Sequence, residues 1–168
     1  IQEEKYMAIS FIRVDDRIIH GQVVTRWSME RPCDGIIAVN DKCATNDLLK
    51  NALKAASTKK TFIWTHEQFL QKMDEAVKSG KNYFVITKEP VTMAKLLVDN
   101  GMTVNVQTLN VGPQSARGNT IYVNKNCDVT NEEFEDVNLI KKIKKKNRRK
   151  ALGIFVGAFI LSGVLMGV

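Results

Sequence analysis

Short apolar runs and amphipathic stretches take turns along this chain, and their periods differ. Ile9 to Val14 is a near-continuous apolar run with the period of a strand, and Gly35-Ile36-Ile37-Ala38-Val39 is a second one, fully apolar. Phe62-Ile63-Trp64, Tyr83-Phe84-Val85-Ile86 and Val104 to Leu109 supply three more. Between them the apolar positions recur every three or four residues. Gly21 to Glu30 predicts a helix with Val23, Val24 and Trp27 on one face. Asn46 to Ala56 predicts another, with Leu48, Leu49, Ala52, Leu53 and Ala56 at three- and four-residue spacing. Thr65-His66-Glu67-Gln68 has the spacing of a capping box and opens a helix to Lys78. Pro90 opens one that ends near Gly101.

This repeated βα period predicts an α/β fold: an open, mainly parallel sheet with helices on both faces and right-handed crossovers. In such a sheet the ligand site lies beyond the carboxyl ends of the strands. The loops after strands one, two and five, Asp15 to His20, Asn40 to Lys42 and Asn110-Val111-Gly112-Pro113, are therefore expected on one rim. Thr65-His66 and Thr87-Lys88 lie at the same ends but are expected too far along the sheet to take part.

The first of these loops concentrates the chemistry. Arg13-Val14-Asp15-Asp16-Arg17-Ile18-Ile19-His20-Gly21-Gln22 brings two guanidiniums, two carboxylates and an imidazole into ten residues. Imidazole serves as nucleophile, acid or base, and fixed positive charge beside it favours an anion. His20 precedes a helix start at Gly21, so a bound anion would also meet backbone N–H groups there. Arg17 or Arg13 would supply a planar donor fork for phosphate oxygens. Asp15 and Asp16 either fix the imidazole tautomer, hold an arginine, or cap the loop. A phosphoryl group suits this set, because its transfer needs mainly positioning and charge stabilisation. The competing reading is a hydrogen-bonded surface histidine beside a structural Asp-Arg pair. His66, in a helix first turn with no arginine near in sequence, reads as structural. Ser115 and Arg117 add donors near the 110–113 loop, Arg117 reading as solvated, and Trp27 reads as core or partner surface.

Composition narrows the alternatives. The chain has 168 residues, 44% hydrophobic and 26% charged, one domain's worth. Its formal charge of +7 is concentrated: Lys141 to Lys150, KKIKKKNRRK, carries eight basic residues and no acid, and without it the net charge is about −1. A nucleic-acid partner is thus not indicated. Cys33, Cys43 and Cys127 are odd in number and far apart, suggesting neither disulfides nor zinc, and a reducing compartment. No metal or cofactor is expected, since neither G-x-G-x-x-G nor a P-loop lysine occurs. Ile1 to Tyr6 is polar and acidic, unlike a secretory leader, and Met7 reads as the natural start with 1–6 an upstream extension.

The run Ile12-Arg13-Val14-Asp15-Asp16-Arg17-Ile18-Ile19-His20-Gly21-Gln22-Val23-Val24-Thr25-Arg26-Trp27 closely resembles the phosphorylation-site motif of IIB subunits of the bacterial sugar phosphotransferase system, in the mannose, fructose and sorbose family. Leu109-Asn110-Val111-Gly112-Pro113 resembles that family's NVG loop, and Asn40-Asp41 its second βα junction. The resemblance implies an EIIB-type domain over 7–138, with one antiparallel edge strand. It also implies a phosphohistidine at His20 on Nδ1, formed from a IIA phosphodonor domain and steadied by Arg17, that passes its phosphoryl group to a sugar imported by IIC and IID membrane subunits. Arg13, Asp15, Asp16, Gly21, Gln22, Asn110, Val111 and Gly112 are the implied phosphate-binding or supporting positions. A cytoplasmic location at the inner face of the cell membrane follows. The alternative is a non-catalytic regulatory or membrane-docked binding module on the same fold.

Residues 139–168 depart from the family pattern. The basic block is followed by Ala151 to Val168, 18 uncharged residues that as a helix would span about 27 Å. Membrane contact by 151–168 is one reading; a fusion remnant, a frameshifted end, or a soluble tail in which Ile154, Val156 and Phe159 pack are the others.

Overall fold

The computed structural model describes residues 9–21, 23–102, 104, 109–124 and 127–136. Five strands pair in parallel in the order β3-β2-β4-β1-β5: β1 Ile9–Val14, β2 Gly35–Val39, β3 Lys60–Trp64, β4 Tyr83–Thr87 and β5 Leu109–Val111. Successive side chains point to opposite faces of a strand, so the apolar runs split into two layers. Phe11, Ile36, Ala38, Ile63, Phe84 and Ile86 face one side, where they meet Ile18, Ile19, Val23 and Ala44. Ile12, Val14, Ile37, Val39, Val85 and Leu109 face the other, beneath Phe69, Met93 and Leu96. Burial on both faces is why these strands read as continuous rather than alternating runs. Each large side chain buried in this way contributes about 1.5–3 kcal/mol.

The connections follow the predicted periods with local changes. The helix expected over Gly21 to Glu30 is a π-helical turn, Val23–Trp27, running into α1, Ser28–Glu30. β-Branched Val23, Val24 and Thr25 disfavour a tight regular helix, and Thr25 Oγ donates to the Gly21 carbonyl at 2.6 Å. After β2 a short extra helix, α2 Asp41–Ala44, is capped by Asn40, and Asn46 then caps α3, Asp47–Ala55. The apolar stripe of α3 is largely unburied: Leu48 is 79% exposed. Ala44 and Cys43 of α2, with Leu53, are what this pair gives to the core. α4, His66–Lys78, has the predicted capping box, with Thr65 and Gln68 bonding each other's backbone N–H reciprocally. Thr65→Ala is expected to cost about 1 kcal/mol in urea unfolding while leaving the site chemistry unchanged. Pro90 opens α5, Pro90–Ala94, which continues as a π-helical turn, Lys95–Asp99.

Two placements differ from expectation. The fifth strand is found at Leu109–Val111, because Asn110 and Val111 pair with Arg13 and Val14 instead of forming a loop beyond the strand; residues 105–108 lie outside the described set. Among the described residues the antiparallel element is not an edge strand of the main sheet. It is a separate two-stranded ladder, β6 Thr120–Asn124 with β7 Cys127–Thr130, joined to the 112–117 loop by a Gln114–Cys127 bridge. Residues 131–136 are helical, and Thr130 and Glu133 form a second capping box, the Glu133 carboxylate accepting from Thr130 N–H at 2.8 Å. Among the described residues no helix is long and apolar enough to cross a membrane; the tail 139–168 and Gln22 lie outside them.

Candidate functional site

β1 delivers the chain to the sheet's carboxyl end, and Asp15 begins the loop that carries His20. Its backbone N–H bonds the Thr87 carbonyl of β4 at 3.0 Å, and Ile18 N–H returns to the Asp15 carbonyl at 3.0 Å. The fold has thus turned the chain sharply within four residues. Ile18 takes a left-handed φ of 55°, an unfavourable conformation for a β-branched residue, while its side chain stays buried in the core.

Asp15 is the hub, and it fills all three roles open to it. Its Oδ2 accepts from Arg13 Nε at 3.1 Å and from the Arg13 guanidinium at 2.6 Å, and lies 2.9 Å from His20 Nε2. Its Oδ1 accepts the Arg17 N–H at 3.0 Å, closing an Asx turn. Burial alone would push this carboxyl up, but the His20 hydrogen bond, the Arg13 charge and the Arg17 N–H outweigh it and hold it below its ordinary value. An ionised carboxylate only accepts. His20 Nε2 therefore carries a proton, and in the neutral ring the lone pair sits on Nδ1.

Arg13 does not offer its fork to an anion. It is buried, its guanidinium bonded to Asp15 and to the Asn110 side-chain oxygen, and it lies 5.1 Å from the Trp27 ring centroid. Trp27 also stacks on Phe11 at 5.3 Å, so it belongs to the core. Arg13 and Asn110 form a support under Asp15. Gly112 lies against the same pair: a Cβ there would stand 2.6 Å from Asp15 Oδ2 and closer still to Arg13. Gly112→Ala is expected to destabilise the fold by about 1–3 kcal/mol and to disturb His20 through Asp15, readable as a shifted His20 ring resonance. Gly21 is not sterically required, since nothing lies within 4 Å of a Cβ added to it.

Arg17 is the exposed guanidinium. Its side chain is about half exposed, 48%, with Nε 3.5 Å from Asp15 Oδ1, so the guanidinium is held at the surface on the carboxylate that His20 also contacts. Asp16 reaches across the rim: its N–H bonds the Pro113 carbonyl at 3.2 Å, and its Oδ2 accepts from Ser115 N–H at 3.1 Å and from the Ser115 hydroxyl. Asp16 is a clasp between the first and last loops. Arg117 is not simply solvated; it holds Glu133 by two bonds of 3.0 and 2.6 Å, which keeps its pKa above the ordinary value.

Strand order corrects the expected rim. β4 lies between β1 and β2, so Thr87 and Lys88 adjoin the His20 loop while Asn40 to Lys42 are two strands away. A cavity of about 240 Å³ beside the loop is lined by Asp16, Lys88, Glu89, Gln114, Ser115 and Arg117. Gln114, buried and tied to the Lys88 and Pro113 carbonyls, and Glu133 were not among the expected residues. The Thr130-x-x-Glu133 spacing was the available signal for the second. His66 lies at the far strand, its Nε2 3.1 Å from Asn100 Oδ1. Cys33 is buried and Cys43 half-buried, and burial pushes both thiols up, making them poor nucleophiles.

Comparison with known proteins agrees with this geometry. The family described as PTS system sorbose subfamily IIB component matches residues 9–150. The mannose-specific EIIAB component of Escherichia coli strain K12 is 30% identical over 134 residues, 77% of this chain and 40% of that protein. The chain thus spans two fifths of the length of that relative. The fructose-specific EIIB component of Bacillus subtilis is 27% identical over 133 residues, 77% of this chain and 78% of that one. The IIB domain of the sorbose permease from Klebsiella pneumoniae superposes with a TM-score of 0.71 at 19% identity, over 91% of this chain and 88% of that one. For manxB from Thermoanaerobacter tengcongensis the TM-score is 0.73 at 22% identity, over 90% and 89%. At such identities the two solved structures speak for the fold, while the family match extends over most of the chain: the protein belongs to the sorbose-subfamily IIB components of the sugar phosphotransferase system.

Proposed function

We propose that this chain is the phosphocarrier subunit of a sugar phosphotransferase system, a protein-Nπ-phosphohistidine–sugar phosphotransferase. His20 Nδ1 attacks the phosphorus of a phosphohistidine on a IIA domain; the new P–N bond forms as the donor's P–N bond breaks, and the donor nitrogen leaves with the electron pair. In the second step a hydroxyl of a sugar held by IIC and IID membrane subunits attacks, the new P–O bond forms as the P–Nδ1 bond breaks with its electron pair returning to Nδ1, and the hydroxyl proton passes to solvent. The protein works in the cytoplasm, at the inner face of the cell membrane, through an EIIB-type unit over 7–138, followed by a basic then apolar tail over 139–168 in which 151–168 is the segment suited to membrane contact.

The observation that carries this reading is the 2.9 Å contact between His20 Nε2 and Asp15. It leaves Nδ1 as the nucleophilic nitrogen and stabilises the ring as positive charge develops on it. Arg17 supports the same step, because its half-exposed guanidinium, held on the carboxylate that His20 contacts, has the donor geometry that matches phosphoryl oxygens. The remaining listeners to the charge, Arg13 and Asn110, act only through Asp15.

The test is phosphoryl transfer from phosphoenolpyruvate through the general proteins of the system and a IIA domain to this chain. Acid-labile, alkali-stable phosphate is expected, and mapping it should give His20. Phosphate stable to acid, or mapped to another residue, would overturn the reading.

A further inference from the structure

A second cavity lies on the same rim, and His20 is not among its lining residues. Adjacent strands β2 and β4 send their connections opposite ways: β2 leads outward to β3 at one edge, and β4 leads across to β5 at the other. Their helices pack on opposite faces of the sheet, Ala44 of α2 in one core layer and Met93 of α5 in the other. Connections that diverge in this way open a crevice at the carboxyl ends, where α/β sheets take ligands. Here it is a cavity of about 450 Å³, within the range of small-molecule pockets.

Its walls are pre-set. Asn40 Oδ1 accepts from Cys43 N–H at 3.0 Å, which aims the amide nitrogen towards Glu89 Oε2 at 3.5 Å. Asp41 Oδ1 accepts from His66 N–H at 2.6 Å, and the His66 ring is held by Asn100. The working ends are unoccupied by protein partners: Lys42 and Lys95 form no ion pair, and the Thr92 hydroxyl no hydrogen bond, among the described residues. All three line the cavity. Burial pushes the Glu89 carboxyl up, with Lys88 opposing.

We propose that this crevice binds a phosphorylated monosaccharide, with Lys42 and Lys95 on the phosphate and Asn40, Asp41, Glu89 and Thr92 on the hydroxyls. Two ammonium groups favour a dianion. The two carboxyl groups in the wall disfavour a bare one, since they would face it without a donor between; a ligand bearing hydroxyls meets both. The crevice does not use His20. Only the choice of a sugar ester rests on the phosphotransferase reading, whose own product is of that class. Such a site would let the domain sense the ester formed downstream of it.

The test is titration of the full chain with a hexose 6-phosphate, the free hexose and inorganic phosphate, followed by calorimetry and by amide resonances at Asn40–Lys42 and Glu89–Lys95. The ester is expected to bind at about millimolar affinity or better, and Lys42→Ala or Lys95→Ala to weaken it about tenfold. Both lysines are exposed, so these variants keep the fold. His20→Ala is expected to bind the ester like the parent chain. Inorganic phosphate binding as well as the ester, unchanged affinity in the lysine variants, or loss in His20→Ala would each overturn the proposal. Ester binding in a chain that takes up no phosphate would sink the phosphocarrier reading and leave this one standing.

Discussion

A His20→Ala protein is expected to accept no phosphoryl group from a phosphorylated IIA domain, its uptake falling on the order of a thousandfold or more. The loss should come without unfolding. Removing the ring leaves Asp15 still bonded to Arg13 and to the Arg17 N–H, so the buried charge keeps its partner and the loop its turn. Two controls separate nucleophile from scaffold. His66→Ala should retain uptake, since that ring lies at the far strand and bonds Asn100. The urea midpoint of His20→Ala should stay near that of the parent. Retained labelling at normal stability would assign the nucleophile elsewhere.

Asp15 should behave in the opposite way, damaging fold and chemistry together. Asp15→Ala strips the Arg13 guanidinium of its carboxylate in a site where both side chains are almost fully buried, and an uncompensated buried charge costs about 3–5 kcal/mol. Asp15→Asn keeps the shape and is the informative variant. Its amide no longer compels a proton onto His20 Nε2, so uptake should slow by roughly a hundredfold or more while the protein remains folded. Urea unfolding and single-turnover uptake measure the two effects.

The same carboxylate sets an acid limit. The folded protein holds Asp15 below its ordinary pKa, so the unfolded chain binds this proton more readily. The stabilisation is complete above the ordinary aspartate value and is lost as pH falls through the lowered one. Stability of Asp15→Asn should therefore decline less steeply with acidification over that window.

Local periodicity made most elements readable, because each strand is buried on two faces and each long helix carries its own punctuation. The capping box at Thr65 and Gln68 and the proline at 90 stand where their chemistry predicts. Strand order was not readable. It depends on which crossovers pass which neighbours, and no local pattern in Thr87 or Lys88 marks them as adjacent to β1. α3 stands where its spacing predicts, but of its apolar stripe only Leu53 packs against the core, while Leu48 is exposed. At the site, the charges of the first loop were visible but not their division of labour. Arg13 and Arg17 are the same residue type four apart. Only the strand position of Arg13, opposite Asn110 on β5, turns one into a buried support and leaves the other facing solvent. Asp16 and Ser115, 99 residues apart in sequence, are joined by topology alone.

The contact between His20 and Asp15 has a consequence for traffic. With Nε2 tethered to Asp15, the proposed transfer leaves the ring a single nitrogen to work with, so under that proposal whatever delivers a phosphoryl group and whatever removes it must come to the same atom from the same side. Two partners cannot occupy that approach together. The domain is then a turnstile rather than a bridge: it must let go of one partner before it can serve the next, and its throughput is bounded by dissociation as well as by chemistry.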